Sequence, residues 1–566
     1  MSAWRHYTLL VVFAACVAGV CVRVVYLGVS DRDFLQGQGD ARSIRKETIP
    51  AMRGVILDRQ GEPLAVSTPV FAVWADPSRA QLDVAEVERL ASVIELEPEA
   101  LRDRLTAAAD REFVYLRRRA PWATAQRLKA AKFNHVYLQP EYRRYYPAGE
   151  TTAHVVGVTN IDDEGIEGSE YAFNRQLQGR HGGKVVLKDL KGSTIRDLDY
   201  VTAPVYGQDL SLSIDLRLQF LAYRELKSAV ASHGATSGSL VMVDADSGQI
   251  LALVNQPSYN PNNIPEQSRG MRNRAITDAY EPGSTIKPFT ALAALESGRY
   301  RSDTLIDTAP GYFRVGQKLI QDPVNRQNIS LAESLAKSSQ VAFAKVALDL
   351  EEMAVFDVLR RAGIGDFVGI GLPGETTGFM TDSQLQYPVV QASLAYGYGL
   401  SVTPLQLAQA YLSLASYGEK IPLSIMASAP DETLRERVFD ERIVQEVLSM
   451  MEGVTAPDGT APGAAVPGYR VAGKTGTARL VGPEGYTDER HVAWFAGLVP
   501  VEQPRLVMVV LINEPNAGLS GGGAVAAPVF GRVAQRSLRL LGVLPEVQIA
   551  DVEHVEAVPL ALEDRG

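Results

Sequence analysis

Five strand-like runs in the later part of this chain fall into two groups that lie far apart. Ser239–Asp244 and Gln249–Val254 are joined by Ala245-Asp246-Ser247-Gly248, a hairpin signal. Arg470–Ala478, Val492–Val499 and Arg505–Ile512 form the second group, and a closing helical pattern runs from Ala527 to Leu541. Between the groups lies a long stretch of helical pattern, from about residue 284 to 455. Strands at both ends of such a stretch make one sheet only if the chain returns to its starting strands. The pattern therefore predicts an α+β domain with a five-stranded antiparallel sheet flanked by helices.

Upstream of about residue 206 the texture differs. Val70–Trp74 reads as a strand, and Val84–Ile94 and Ala100–Ala109 read as amphipathic helices, with no repeat and no metal-ligand spacing. This suits a non-catalytic, elongated, mixed α/β pedestal. Earlier still, Tyr7–Val29 is apolar apart from Arg23, and as a helix it would rise about 34 Å, enough to cross a hydrocarbon core of about 30 Å. No A-x-A triplet closes the apolar run, and Phe13 is a poor residue three places before Cys16 for a lipoprotein signal. An uncleaved anchor is expected. The divisions are then 1–29 for a cytoplasmic tip and anchor, 30–205 for a stalk (Asp31–Ile49) and pedestal, and 206–544 for the main domain. Residues 545–566 are acidic, lack aromatics and read as a disordered tail.

Composition removes several function classes. With 566 residues, 46% hydrophobic and 22% charged, the chain can bury a large core, so a mainly disordered or multi-span protein is excluded. A net charge of −10 disfavours a nonspecific nucleic-acid binder. Cys16 and Cys21 are the only cysteines, so the body has no disulfide framework, no Cys-rich zinc site and no cysteine nucleophile. No H-E-x-x-H occurs, and neither a catalytic metal nor a cofactor is expected.

Ser-x-x-Lys occurs three times, as Ser43/Lys46, Ser284/Lys287 and Ser334/Lys337, so the bare pattern carries little weight. Context separates the three. Ser43 sits in the polar stalk. Ser284 follows Glu281-Pro282-Gly283, a turn that opens a helix, and precedes the apolar run Phe289–Leu295. One helical turn puts Lys287 on the same face as the Ser284 hydroxyl. A serine needs a base to take its proton, and lysine can serve if burial and nearby positive charge keep it neutral. Lys474 is the candidate second charge, in Val471-Ala472-Gly473-Lys474-Thr475-Gly476-Thr477-Ala478. Small residues around one cation suit an edge strand along which a peptide pairs by its backbone. Gly518-Leu519-Ser520-Gly521-Gly522 fits G-x-S-x-G as text, but its only downstream histidine is His554 in the tail, so a glycine-rich loop is expected. Arg117-Arg118-Arg119 reads as a solvated face.

Ser-x-x-Lys followed by Lys-Thr-Gly is the signature of penicillin-recognising serine enzymes. The chain resembles a class B penicillin-binding protein of the septal, cell-division type. The likeness extends to Arg53-Gly54-Val55-Ile56-Leu57-Asp58-Arg59, Arg144-Tyr145-Tyr146-Pro147 and Gly165-Ile166-Glu167-Gly168. It continues through Pro257-Ser258-Tyr259-Asn260-Pro261, Arg272-Asn273-Arg274, Tyr398-Gly399 with Thr403-Pro404-Leu405-Gln406, and Gly522–Phe530. One position departs: where the family has Ser-x-Asn, this chain reads Ser338-Ser339-Gln340, and Ser258-Tyr259-Asn260 precedes the nucleophile.

The resemblance implies a membrane-anchored D,D-transpeptidase that cross-links peptidoglycan stem peptides at the division septum and is acylated by β-lactams. Ser284 is then the nucleophile, Lys287 its base, and Ser338 with Lys474 the relay to the leaving amine. Gln340, Thr475, Gly476 and Thr477 hold the substrate, and the backbone N–H groups of Ser284 and Thr477 form the oxyanion hole. No Glu-x-x-Leu-Asn pattern supplies a deacylating carboxylate, so a bound β-lactam should stay attached. Glycan polymerisation falls to a partner, a polytopic division glycosyltransferase. The alternative is a catalytically weakened paralogue acting as a structural division subunit, suggested by Gln340. An extracytoplasmic body also overrides the charge bias, since Arg5 precedes the anchor while Arg32, Arg42, Arg45 and Lys46 follow it.

Overall fold

The computed structural model describes residues 3–34, 44–80, 82–188, 194–264, 270–427, 432–482 and 485–546. Ser43 and all of the expected tail beyond Glu546 lie outside the described residues. The chain divides into two compact units: 1–54, 67–145 and 175–208 form one, and 55–66, 146–174 and 209–566 form the other. Residues 146–174 therefore pack with the later part of the chain, although they lie within the stretch expected to be pedestal.

In the smaller unit, helix α1 (Ala3–Val29) has an apolar stretch of mean hydropathy 2.5, long and apolar enough to cross a membrane. The later part of the expected stalk is a strand, β1 (Ile44–Ile49). It pairs with β5 (Gly182–Lys188), which pairs with β6 (Thr194–Thr202), all antiparallel. A partner strand far along the chain supplied this ladder, so local sequence alone gave no strand signal. A second sheet joins β3 (Val114–Ala120), β2 (Pro63–Ala75) and β4 (Val136–Tyr145). Helices α2 (Val84–Ile94), α3 (Pro98–Ala107) and α4 (Trp122–Ala131) share a core with it, in which Leu90 and Ile94 meet Val73 and Leu116. Asp83 and Glu86 begin α2 as a reciprocal capping box.

In the larger unit, β7 (Ser237–Asp244), β8 (Ile250–Gln256), β11 (Ala472–Gly482), β12 (Gly485–Val499) and β13 (Leu506–Asn513) make one antiparallel sheet in the order β8-β7-β13-β12-β11. The two groups of strand-like runs thus form a single sheet. Every residue of β7 and β13 is buried, because helices cover both faces. Helices α5 (Leu216–Ser232) and α11 (Ala527–Leu540) contribute Leu226, Val529 and Phe530 against Leu240, Met242 and Phe495. Helix α9 (Pro404–Ala415), buried along its whole length, packs on the sheet as well, against β7 and β13.

The intervening stretch is less purely helical than its pattern predicted. It holds α6 (Lys287–Glu296), α7 (Leu331–Ala336), α8 (Gln340–Asp349) and α10 (Glu441–Glu452). It also contains a small hairpin of β9 (Tyr312–Val315) and β10 (Lys318–Gln321), turned at Gly316 with φ +59°. Val315 and Ile320 of that hairpin pack with Val341 and Ala344 of α8.

Candidate active site

Ser284 lies in a 3₁₀ turn, Gly283–Ile286, that leads directly into α6. In a 3₁₀ turn residues three apart stand one above the other, so Ser284 and Lys287 share a side. The turn is held from several directions. The Trp494 indole N–H donates to the Glu281 carbonyl at 3.1 Å, and the Tyr411 hydroxyl of α9 donates to the Thr285 carbonyl at 2.8 Å. Gly283, at φ +53°, donates its N–H to the Gly397 carbonyl at 3.1 Å.

Strand β11 is an edge strand, paired within its sheet only to β12, with Lys474 opposite Ala496 and Thr477 opposite Ala493. Its small residues have a steric cause. A Cβ at Gly476 would stand 2.6 Å from the Pro282 carbonyl oxygen and 2.9 Å from Thr285 Cγ2, so glycine lets the strand lie directly on the turn that carries Ser284. The Thr477 hydroxyl accepts from the Gly522 N–H at 3.1 Å, and Thr475 Oγ1 donates to Thr460 Oγ1 at 3.2 Å.

The third segment is the short link between α7 and α8. Ser338 has φ +58°, a left-handed conformation uncommon for a residue with a side chain. Its hydroxyl sits between two fully buried lysines, Lys287 Nζ at 3.2 Å and Lys474 Nζ at 2.9 Å. Lys287 also donates to the Ser338 carbonyl at 2.6 Å, and Lys474 to the Thr475 carbonyl at 3.2 Å. Among the described residues, neither the Ser284 hydroxyl nor the half-buried Gln340 amide has a hydrogen-bond partner. Both are chemically free to meet a substrate.

Burial sets the charge state of this centre. Desolvation pushes the Lys287 amine down to about 7, with the Asp322 carboxylate acting in the opposite direction. Lys474 is lowered well below the ordinary lysine range, chiefly by burial and further by the charge of Lys287. Two ammonium groups sharing one dry site repel, so near neutral pH the pair holds fewer protons than two exposed lysines would. A neutral amine beside a serine is the condition for general-base activation.

All eight residues expected to form the site thus come from three segments that meet: the 3₁₀ turn, the α7–α8 link and the edge strand. A cavity of about 940 Å³ lies elsewhere, lined by Arg435, Arg437, Arg505 and Glu546 among others, and none of the eight lines it. That accords with a ligand that pairs along an open strand edge, which needs no enclosed chamber. Sequence reasoning missed Asp322, buried beside the link, and Thr460, the neighbour of Thr475. Asp322 directly follows the alternating Tyr312–Gln321 hairpin, a signal submerged in the surrounding helical pattern.

The chain is similar to known proteins over nearly its whole length. Residues 238–535 match the penicillin binding protein transpeptidase domain, and residues 48–212 match the penicillin-binding protein dimerisation domain. The chain is 42% identical over 550 residues to the peptidoglycan D,D-transpeptidase FtsI of Escherichia coli K12, covering 96% of this chain and 93% of that protein. It is 39% identical to the probable peptidoglycan D,D-transpeptidase PbpC of Pseudomonas aeruginosa, covering 97% and 98%. Among solved structures, penicillin binding protein 3 of Mycobacterium tuberculosis, complexed with aztreonam, superposes with a TM-score of 0.68 at 26% identity, covering 88% of this chain and 98% of that one. A dimerisation domain, a transpeptidase domain and near full-length identity to FtsI place the chain among the class B penicillin-binding proteins of the FtsI type.

Proposed function

We propose that this protein is a serine D,D-transpeptidase that cross-links peptidoglycan stem peptides, with Ser284 as its nucleophile. The observation that carries the reading is the meeting of two buried lysines on the Ser338 hydroxyl, beside a serine held on a rigid turn. Ser284 Oγ attacks the carbonyl of the penultimate D-Ala, and Lys287 takes the hydroxyl proton. The N–H groups of Ser284 and Thr477 stabilise the tetrahedral oxyanion, where preorganised donors act most strongly. As the C–N bond breaks, a proton passes through Lys474 and Ser338 to the leaving nitrogen, and the terminal D-Ala departs. An amine of a neighbouring stem then attacks the Ser284 ester. The new amide forms, and the proton lost by the amine returns to Ser284.

Gln340, Thr475, Gly476 and Thr477 orient the donor along β11, the two hydroxyls and the amide meeting its carboxylate and amide groups. A β-lactam occupies the same place and leaves Ser284 acylated. The anchor is 1–29, the pedestal lies within 30–205, and the transpeptidase body is 206–544 joined by 55–66 and 146–174, with α1 in the cytoplasmic membrane and the body outside the cytoplasm at the division site. A polytopic glycosyltransferase of the division machinery supplies the glycan. No observation favours a scaffold that has lost catalysis.

A labelled penicillin tests the reading. Covalent, persistent labelling of the full-length protein is expected, and Ser284→Ala should abolish it. Labelling that survives this substitution would remove Ser284 from the mechanism.

A further inference from the structure

Helices α5 and α11 lie side by side and turn basic stripes to solvent. Arg532, Arg536 and Arg539 stand at i, i+4 and i+7 on α11, and Phe220 and Arg224 at i and i+4 on α5, all of them exposed. Glu225 lies between the stripes and accepts from Arg532 at 2.9 Å, Arg536 at 3.0 Å and Arg224 at 3.2 Å. Arg539 has no ion-pair partner among the described residues, so four guanidiniums stand against a single carboxylate. In a chain of net charge −10, this face keeps positive charge that direct pairing does not offset. Like charges this close repel, and an anion laid across them relieves the repulsion. The face is also apolar. Phe220 is 54% and Leu540 44% exposed, and with Leu221, Arg224, Arg536 and Arg539 they line a cavity of about 370 Å³. Such a surface selects an occupant that is both acidic and aliphatic.

The chain carries a segment of that chemistry. Residues 547–566, outside the described residues, hold Asp551, Glu553, Glu556, Glu563 and Asp564 against one cation, Arg565. Val552, Val555, Val558, Leu560 and Leu562 are interleaved with them. Leu540 lines the cavity, and Glu546 follows six positions later, at most about 20 Å away; the residues beyond it extend to about 65 Å, enough to return.

We propose that residues 547–566 form a strap across the α5–α11 face, their carboxylates on Arg224, Arg536 and Arg539 and their aliphatic side chains against Phe220 and Leu540. Tethering holds the segment near the groove at an effective concentration on the order of 1 mM, so weak contacts keep it seated much of the time. The cavity of about 940 Å³ is the rival seat, since Glu546 lines it. Its arginines are already answered, Arg435 and Arg437 by Glu419, and Arg505 by Asp244 and Asp246. Glu441 and Glu502 line it as well, so it repels an acidic segment. While seated on the α5–α11 face, the strap denies that face to other acidic chains.

Arginine footprinting with phenylglyoxal, read by mass spectrometry, tests this on the full-length protein beside a chain ending at Glu546, with melting temperatures taken to confirm folding. Arg536 and Arg539 should react about two- to fivefold more slowly in the full-length protein, the factor for a groove occupied about half to four-fifths of the time. High salt should remove the difference, because exposed charges are screened. So should Asp551→Asn, Glu553→Gln and Glu556→Gln, introduced together in an otherwise complete chain. Arg435 and Arg437 should react alike in every form. Equal reactivity of Arg536 and Arg539 with and without the segment overturns the proposal. So does protection that appears at Arg435 and Arg437 instead, which places the segment in the other cavity. Protection that grows with protein concentration overturns it too, by assigning the segment to a second copy. If the shortened chain does not fold, the neutralised chain decides: reactivity in it no faster than wild type counts against the strap.

Discussion

Ser284/Lys287 and Ser334/Lys337 carry the same spacing and lie within fifty-odd positions of each other, yet their surroundings are opposite. Lys287 is fully buried, and among the described residues its amine hydrogen-bonds only to a serine carbonyl and hydroxyl. Lys337 is partly exposed and pairs with the Asp458 carboxylate at 2.6 Å, while the Ser334 hydroxyl donates back to the Ser330 carbonyl within its own helix. One lysine has been deprived of water and of a carboxylate in direct contact, and burial drives it toward neutrality. The other keeps both. Spacing along a helix decides which side chains can meet, but the dielectric and the partners decide whether the meeting is chemistry or a surface ion pair.

The sharpest way to break this contrast is to remove each lysine. Lys287→Ala should lower the rate of penicillin acylation about 10²- to 10⁴-fold, the range expected for loss of a general base. Lys337→Ala should stay within about twofold of wild type, as surface changes usually do. A comparable loss in both would erase the distinction. The pH profile sharpens it further. A base must be neutral, so the acylation rate should rise with pH through the value to which burial lowers Lys287, about 7. Lys337→Ala should leave that limb where it is.

A smaller effect is expected from Gly476→Ala. The added Cβ meets the Pro282 carbonyl at 2.6 Å, forcing the edge strand off the turn that bears Ser284. Thermal unfolding should show a loss of about 1–3 kcal/mol, typical of overpacking, together with slower acylation. Unchanged melting and unchanged rate would mean that the strand does not rest on the turn as described. The smallest change should come from Gln340→Asn, which keeps the amide and withdraws it by one methylene. Acylation should remain and shift by no more than about tenfold, well inside the cost of a 1 Å misplacement. Identical kinetics would show that the extra methylene is absorbed without altering the geometry.

The sequence made the two-ended sheet legible because its central strands are covered on both faces and read as unbroken apolar runs, such as Leu506–Asn513. The eight proposed site residues stood out because the expected chemistry is confined to short, dense segments, which the fold brings together. What escaped was set by distant partners. Ile44–Ile49 sets four polar residues between two isoleucines, with no alternation, and becomes a strand through its pairing with Gly182–Lys188. Asp322 is one acidic residue after a short hairpin, and its contacts come from three donors 17 to 19 positions away. Residues 146–174 look continuous with the pedestal in sequence. Their hydrogen bonds run instead to the later part of the chain, as where the Asn262 amide donates to the Tyr146 carbonyl and the Tyr259 hydroxyl to that of Ala153.

The order of the sheet also bears on how the enzyme is made. Asp244 of β7 pairs with Leu506 of β13, and nothing between them in sequence can close that ladder. The nucleophile's helix is therefore synthesised long before the strand that carries Lys474, and β7 waits with one side unpaired until the last third of the domain emerges. Closing so long a loop costs chain entropy before any contact repays it, which makes folding slow and dependent on the final segments. A chain cut short before Ala472 would hold Ser284 without Lys474, so the proposed acyl-transfer centre is completed only by the last third of the domain.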